Sequence, residues 1–281
     1  MTRLAEALAG DGRARLLIVT CDELGVTHAH NSGVYAAIRE GSATAAGLVV
    51  PGPWAREAAA RYRGEDVGVH LTLNAEYDLL RWGPITHCPS LLDGDGGFPR
   101  TLDDLWEHGD VDEVRRECRA QIERAVYWGF DVSHLSAHLG ALEMRPEFFD
   151  VALDLAGDFQ LPLRLMPASQ ERSVGFPFRE LAARAGVLSP DHVVRVPRNR
   201  SARAAVEGLL GDLPAGVTEV VLRPADDAPE LRSVAPDWPA RAEDRDVALH
   251  SDSLRAITRR AGATLIGYRS LRELQRRGAR L

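Results

Sequence analysis

Six polar residues stand where apolar segments of the chain end. Asp22 and Glu23 follow Leu16–Cys21, and His70 interrupts Val67–Leu73 near its end. His138 follows Val132–Ala137, Arg164 lies within Leu163–Met166, and Arg223 closes Val217–Leu222. Two imidazoles and one carboxylate suit a borderline divalent metal ion with positions left open for water and substrate. A second carboxylate beside such an ion can take a proton from its bound water. Adjacent residues at a strand end point in different directions, so Asp22 and Glu23 can divide these two roles. Each residue also has a plainer explanation. An acidic pair after a strand commonly forms a turn or a helix cap, and a histidine in an apolar strand can be a hydrogen-bonded core residue. The chain has 9 histidines, so only placement at strand ends singles out two of them.

The elements that must position these residues alternate. Leu16–Cys21, Ala45–Val50, Val67–Leu73 and Val132–Ala137 are short apolar runs that predict buried strands. Leu163–Met166, His192–Val196, Val217–Leu222 and Thr264–Gly267 are weaker strand candidates. Between them, helices are predicted from Asn31 or Ser32 (as cap) to Gly41, and over Trp54–Tyr62, Val111–Tyr127 and Pro146–Phe159. About eight strand–helix alternations predict a parallel sheet and a single irregular (β/α)-barrel domain over residues 1–281. An open doubly wound sheet is the alternative. Two stretches rich in Gly, Pro and Asp, near 75–109 and 224–245, are expected to be long loops.

Composition narrows the function classes. A net charge of −7 disfavours a nucleic-acid binder, which needs a basic surface. No run approaches the ~20 apolar residues of a membrane span, and the N-terminal residues lack a secretory pattern. Three cysteines without a Cys-x-x-Cys spacing fit reduced thiols in a cytoplasmic protein. All 34 basic residues are arginines, so Schiff-base chemistry, which needs a lysine, is excluded. A metal-dependent isomerase stays open. Self-association into a homo-oligomer is compatible with a barrel.

Several blocks, in order, resemble the YdjC-like (ChbG/HpnK) carbohydrate deacetylase family from about Leu16 to Tyr268. The blocks are Cys21-Asp22-Glu23-Leu24-Gly25, Asn31-Ser32-Gly33, Gly68-Val69-His70-Leu71-Thr72-Leu73, Pro89-Ser90-Leu91-Leu92-Asp93 through Gly97-Phe98, and Ser133-His134-Leu135-Ser136-Ala137-His138. The resemblance implies a distorted (β/α)-barrel that removes acetyl groups from N-acetylated amino sugars or small chito-oligosaccharides. It implies Asp22 as general base and Glu23, His70 and His138 as ligands of one divalent ion, Zn or Mg. Arg164 would steady the base. Asn74, Tyr77 and Trp82, with Trp54, are candidate sugar-facing residues.

Three departures from the family pattern bear on that expectation. Glu23 replaces an aspartate and is one methylene longer, enough to move a ligand oxygen by about 1 Å. Ser136 replaces an aspartate that would support a histidine from behind. Arg223-Pro224 stands where the family usually has His-Pro, and an arginine cannot act as the acid that protonates the leaving amine. It can still stabilise an oxyanion. Protonated Asp22, a metal-bound water or His250 are the other candidate acids. These departures also leave room for a catalytically degenerate sugar- or metal-binding protein.

Overall fold

The computed structural model describes residues 2–196 and 201–278. Seven strands form one parallel sheet: β1 (Arg15–Leu24), β2 (Ala45–Leu48), β3 (Val67–Leu71), β4 (Val132–Ala137), β5 (His192–Arg195), β6 (Gly216–Leu222) and β7 (Ala263–Leu265). Their order is β4-β3-β2-β1-β6-β5, with β7 paired to the first residues of β1. Leu163 adds one parallel bridge to Leu135 on the outer side of β4. Around a ring this order runs consecutively, whereas a doubly wound sheet restarts its count beside the first strand. The sheet curls into a half-barrel flanked by helices, opened between Leu163 and β5.

Alternation along each strand decides what faces the inside. On β1, Leu17, Val19 and Cys21 pack into the large core shared with the helices, while Leu16 and Ile18 join Ala45, Val217 and Tyr268 in a smaller one. The period of two continues that second face through Thr20 to Asp22. On β3 and β4 the same rule sends Val67, Val69, Leu71, Leu135 and Ala137 to the large core. Gly68, His70, His134 and Ser136 take the other face. The lower part of the barrel is therefore apolar and its upper part polar.

Two sequence expectations need correction. The helix after β1 spans His28–Arg39 and is capped by Thr27, not by Asn31 or Ser32. Thr27 is itself a good cap, and its Oγ1 accepts a hydrogen bond from the His30 amide at 3.3 Å. Asn31 instead ties the turn after β1 together, accepting from Gly25 N at 2.7 Å and donating to the Trp54 carbonyl at 3.0 Å. The stretch 224–245 is largely helical, over Pro229–Val234 and Trp238–Leu249. Two of its four prolines, Pro229 and Pro239, sit in the first turns of these helices, where a missing N–H costs nothing. The stretch 75–109 is mostly irregular, with a 3₁₀ turn at Pro89–Leu91 and a helix at Leu102–His108.

Gly33 lets the first long helix lie directly on the chain after β6, since a Cβ there would stand 2.8 Å from the Ala225 Cα. Gly33→Ala is expected to destabilise the protein by about 1–3 kcal/mol despite the better helix propensity of alanine. A urea midpoint that holds or rises would contradict this packing.

Candidate active site

A β-bulge places the two acids. β1 pairs with β2 at Cys21–Ala46 and again at Leu24–Leu48, so β1 has one residue too many between these points. Asp22 and Glu23 therefore lie within the strand as it runs to Leu24, rather than just after it. Glu23 takes up the excess with a φ of 72°, in the left-handed region that non-glycine residues rarely adopt. Bulges of this kind re-aim side chains. Here Asp22 points into the barrel mouth and Glu23 points sideways.

Asp22 is held by Arg164, whose Nη1 donates to Oδ2 at 2.7 Å and Nη2 to Oδ1 at 3.1 Å. The same guanidinium donates to Glu219 Oε1 from Nε at 2.9 Å and Nη2 at 2.6 Å. Thr20 donates to Glu219 Oε1 and Tyr268 to Glu219 Oε2, both at 2.6 Å. All five residues are buried. Burial, the largest single influence, would raise the Asp22 pKa, but the charge and hydrogen bonds of Arg164 together with His70 outweigh it and hold the carboxyl at about 2. Burial dominates at His70 and pulls its pKa down to about 3, so the ring is neutral. Its Nδ1 meets the Ser136 hydroxyl at 2.7 Å, and its Nε2 lies 3.9 Å from Asp22 Oδ2.

His138 stands edge-on to His70, with ring centroids 5.3 Å apart. Its Nε2 is 2.9 Å from Glu76 Oε2. Burial works against its charge, yet the Glu76 carboxylate prevails and the His138 pKa is raised. Glu23 faces elsewhere. Arg241 Nη1 donates to its Oε2, Arg223 Nη1 lies 3.5 Å from Oε1, and His30 Nε2 is 3.4 Å from Oε2. Arg241 also donates to Tyr77 Oη at 2.6 Å and Asp237 Oδ1 at 2.8 Å. Asp22, Glu23, His70, His138, Arg195 and Arg223 line a cleft of about 160 Å³. A larger hollow of about 280 Å³, beside Leu4 and Arg179, contains none of them.

This chain can be set beside known proteins. A model of the YdjC-like protein family matches residues 16–260. A carbohydrate deacetylase of Thermus thermophilus is 37% identical over 90% of this chain and 93% of its own length. The chain belongs to the YdjC-like family. A chitooligosaccharide deacetylase of Serratia marcescens is 30% identical over 54% of this chain and 59% of its own. A crystal structure from Enterococcus faecalis, provisionally assigned to cellobiose-phosphate cleavage, superposes with a TM-score of 0.81. That protein is 27% identical, and the match covers 92% of this chain and 99% of the other.

Within this YdjC-like fold the strand ends bring Asp22, His70, His138, Arg164 and Arg223 together, while several other expected positions differ. Asn74, Tyr77 and Trp82 are buried behind the cleft. Trp82 Nε1 donates to the Asn74 carbonyl at 2.8 Å, and Asn74 donates to the Thr101 carbonyl at 3.0 Å. The Trp82 N–H and the Tyr77 hydroxyl are thus engaged within the protein, the latter by Arg241, while Asn74 Oδ1 is buried without a partner, and none of the three residues is in the cleft lining. Trp54 is exposed and packs on His28. His250 ends the Trp238–Leu249 helix, exposed, and is not part of the cleft lining.

The expected metal set also differs from the arrangement found. His70 and His138 are neighbours, but both oxygens of Glu23 face guanidinium groups. Among the described residues, no three His, Cys, Asp or Glu side chains gather where a metal ion could sit. A divalent ion ~4 Å from a guanidinium is opposed by roughly 8 kcal/mol at an effective dielectric near 20. The residues present therefore do not fit an ion bound through Glu23.

Sequence reasoning missed Glu76, Arg195 and Arg241, which lie in loops, at a strand end and in a segment read as a loop. Glu219 carries a signal in the sequence, as an acid within the apolar strand Val217–Leu222.

The Asp22–Arg164 pair has a pH signature. The folded value of about 2 lies below the ~3.9 of an unfolded aspartate. Its stabilisation is complete above about pH 4 and is lost as pH falls towards about 2. Asp22→Asn does not titrate, so the stability gap between wild type and variant should narrow across that window in urea titrations. A gap independent of pH would mean that Arg164 does not hold the carboxylate.

Proposed function

We propose that this chain is a carbohydrate deacetylase that hydrolyses the N-acetyl amide of an amino sugar or a small chito-oligosaccharide. Its membership of a family whose relatives bear that name supports the substrate class. The observation that carries the chemistry is the Asp22 carboxylate, kept ionised by Arg164 in a cleft shared with His70, His138 and Arg223.

The residues divide the work by charge. Asp22 orients a water molecule towards the amide carbon. A carboxylate with a pKa of about 2 is a weak base for free water. It takes the proton as the new C–O bond forms and the attacking oxygen becomes acidic. Arg223, part-exposed at the cleft, opposes the charge that develops on the carbonyl oxygen. The proton taken by Asp22 then passes to the nitrogen as the C–N bond breaks, giving acetate and the free amine. An acid as strong as protonated Asp22 gives up that proton readily. His138, whose proton is favoured by Glu76, is a second donor facing the same space. His70 is neutral, and its ring packs beside His138 at the cleft wall.

Gly47 on β2 is part of this machinery through what it lacks. A Cβ there would stand 2.8 Å from Asp22 Oδ1 and 3.2 Å from the His70 Cβ. The three cysteines are all free and buried, which supports the expected cytoplasmic, reducing setting. No described helix is long and apolar enough to cross a membrane.

A second reading draws on the engaged state of Glu23: the same cleft could bind a sugar without hydrolysing it. Acetate release from N-acetylglucosamine and its short oligomers separates the two. The deacetylase reading expects release that Asp22→Asn lowers by about 10³-fold or more. Sugar binding without any acetate would favour the second reading.

Gly47→Ala should lower the same activity by at least about tenfold, because displacements near 1 Å at reacting groups have that effect. Its circular dichroism should match wild type. Full activity would show that the space over Gly47 is not what fixes Asp22.

A further inference from the structure

We infer that this chain's centre works without a divalent metal ion, with the guanidinium groups of Arg223 and Arg241 supplying the positive charge at Glu23. The inference rests on the deacetylase reading for its place in catalysis, but its structural content stands apart from that reading.

Three independent features carry it. The first is charge. Asp22, Glu23 and Glu219 each face a guanidinium, from Arg164, from Arg241 with Arg223, and from Arg164 again. No carboxylate among them waits for a cation.

The second is construction. Arg241 is almost fully buried and its donors are distributed over Glu23, His30, Tyr77 and Asp237. Such a cation cannot move aside for an ion without leaving Tyr77 and Asp237 behind. The left-handed backbone at Glu23 is the conformation that directs its carboxylate to this pair. Strained conformations of this kind persist only where the surroundings over-determine them.

The third is the quality of the remaining donors. His70 Nδ1 is met by the Ser136 hydroxyl. A carboxylate there would raise the basicity of the ring as a metal ligand, and a hydroxyl does so far less. Nε2 of His138 is turned to Glu76 instead. The two imidazoles alone are a weak anchor for a catalytic ion, which commonly has three protein ligands.

In hydrolysis, Arg223 thus takes the part of the charge that stabilises the carbonyl oxygen. Arg241 holds Glu23 so that Arg223 remains at the cleft. Both are fixed charges, and neither gives nor takes a proton near neutral pH.

Metal binding tests this directly. The full chain, treated with chelator and exchanged into metal-free buffer, is titrated with Zn²⁺ and Co²⁺, read by elemental analysis after gel filtration and by cobalt d–d absorption. Wild type should retain less than one equivalent and show no tetrahedral cobalt spectrum. The double variant Glu23→Asp with Arg223→His withdraws the carboxylate from Arg241 and removes the second guanidinium. It should bind cobalt at least about tenfold more tightly, since a third ligand is restored. Arg223→His alone, at a part-exposed position, should move the affinity in the same direction.

One equivalent bound by wild type and lost in His70→Ala would overturn the inference. So would variants that fold, by circular dichroism, yet bind no better than wild type. Absence of acetate release from every sugar tested would defeat the deacetylase reading and leave these binding results standing. Acetate release that persists undiminished in chelator would join the two.

Discussion

Arg164 lies in the barrel interior with two carboxylates on one guanidinium, and the arrangement of the cleft follows from that. A lone arginine at this depth would be prohibitively expensive to bury. Asp22 and Glu219, reaching in from neighbouring strands β1 and β6, make it tolerable, and Thr20 and Tyr268 also donate to the Glu219 oxygens. Each member fixes another. Glu219 stops Arg164 from turning, Arg164 stops Asp22 from turning, and Asp22 is thereby presented to the cleft as an ionised group with one orientation. The stability of this assembly and the chemistry of the cleft are the same interaction seen from two sides.

The bulge in β1 converts that single fixed acid into a pair with separate duties. In a regular strand Asp22 and Glu23 would face opposite layers, and Glu23 would be driven into the apolar packing against the helices. The extra residue between Cys21 and Leu24 instead swings Glu23 across the rim, towards the helix Trp238–Leu249 and the residue after β6. Arg241 and Arg223 come from those two places. A local irregularity of one residue therefore fixes which elements close over the top of the barrel on that side, and ties the C-terminal third of the chain to its first strand.

How much of this was legible in the sequence depended on the range of the signal. The strands at Leu16–Cys21 and Val132–Ala137 announce themselves as short runs with apolar residues, and the histidines at 70, 134 and 138 fall on the inward period. The helix Val111–Tyr127 is found with its predicted ends. Leu163–Met166 was weaker and shows a single bridge at Leu163, because that edge of the half-barrel is left open. The stretch 224–245 was misjudged since proline signals both loops and helix starts. The partner of Glu23 was beyond reach altogether. Arg241 is 218 residues away, in a segment whose local pattern says nothing about what its side chain meets. Asn74, Tyr77 and Trp82 had the right chemistry for a sugar, but type alone could not reveal that the Tyr77 hydroxyl and the Trp82 N–H are engaged within the protein.

The departures from the family pattern gain meaning from their positions in space. Glu23 and Arg223 are 200 positions apart in the chain, yet their side chains approach to 3.5 Å. A shorter aspartate at 23 could not reach outward to Arg241 and Arg223 together, and a histidine at 223 could not offer a permanent charge to it. Each change makes sense of the other: the longer acid needs a cation to face, and the arginine needs an acid to hold it at the rim. Ser136 fits the same logic, because a histidine that does not have to bind an ion tightly has no need of a carboxylate behind it. Three substitutions that look like separate losses along the sequence thus converge on one cleft, Glu23 and Arg223 in its lining and Ser136 behind His70. They describe a centre whose positive charge has been moved from a ligand site onto the polypeptide itself.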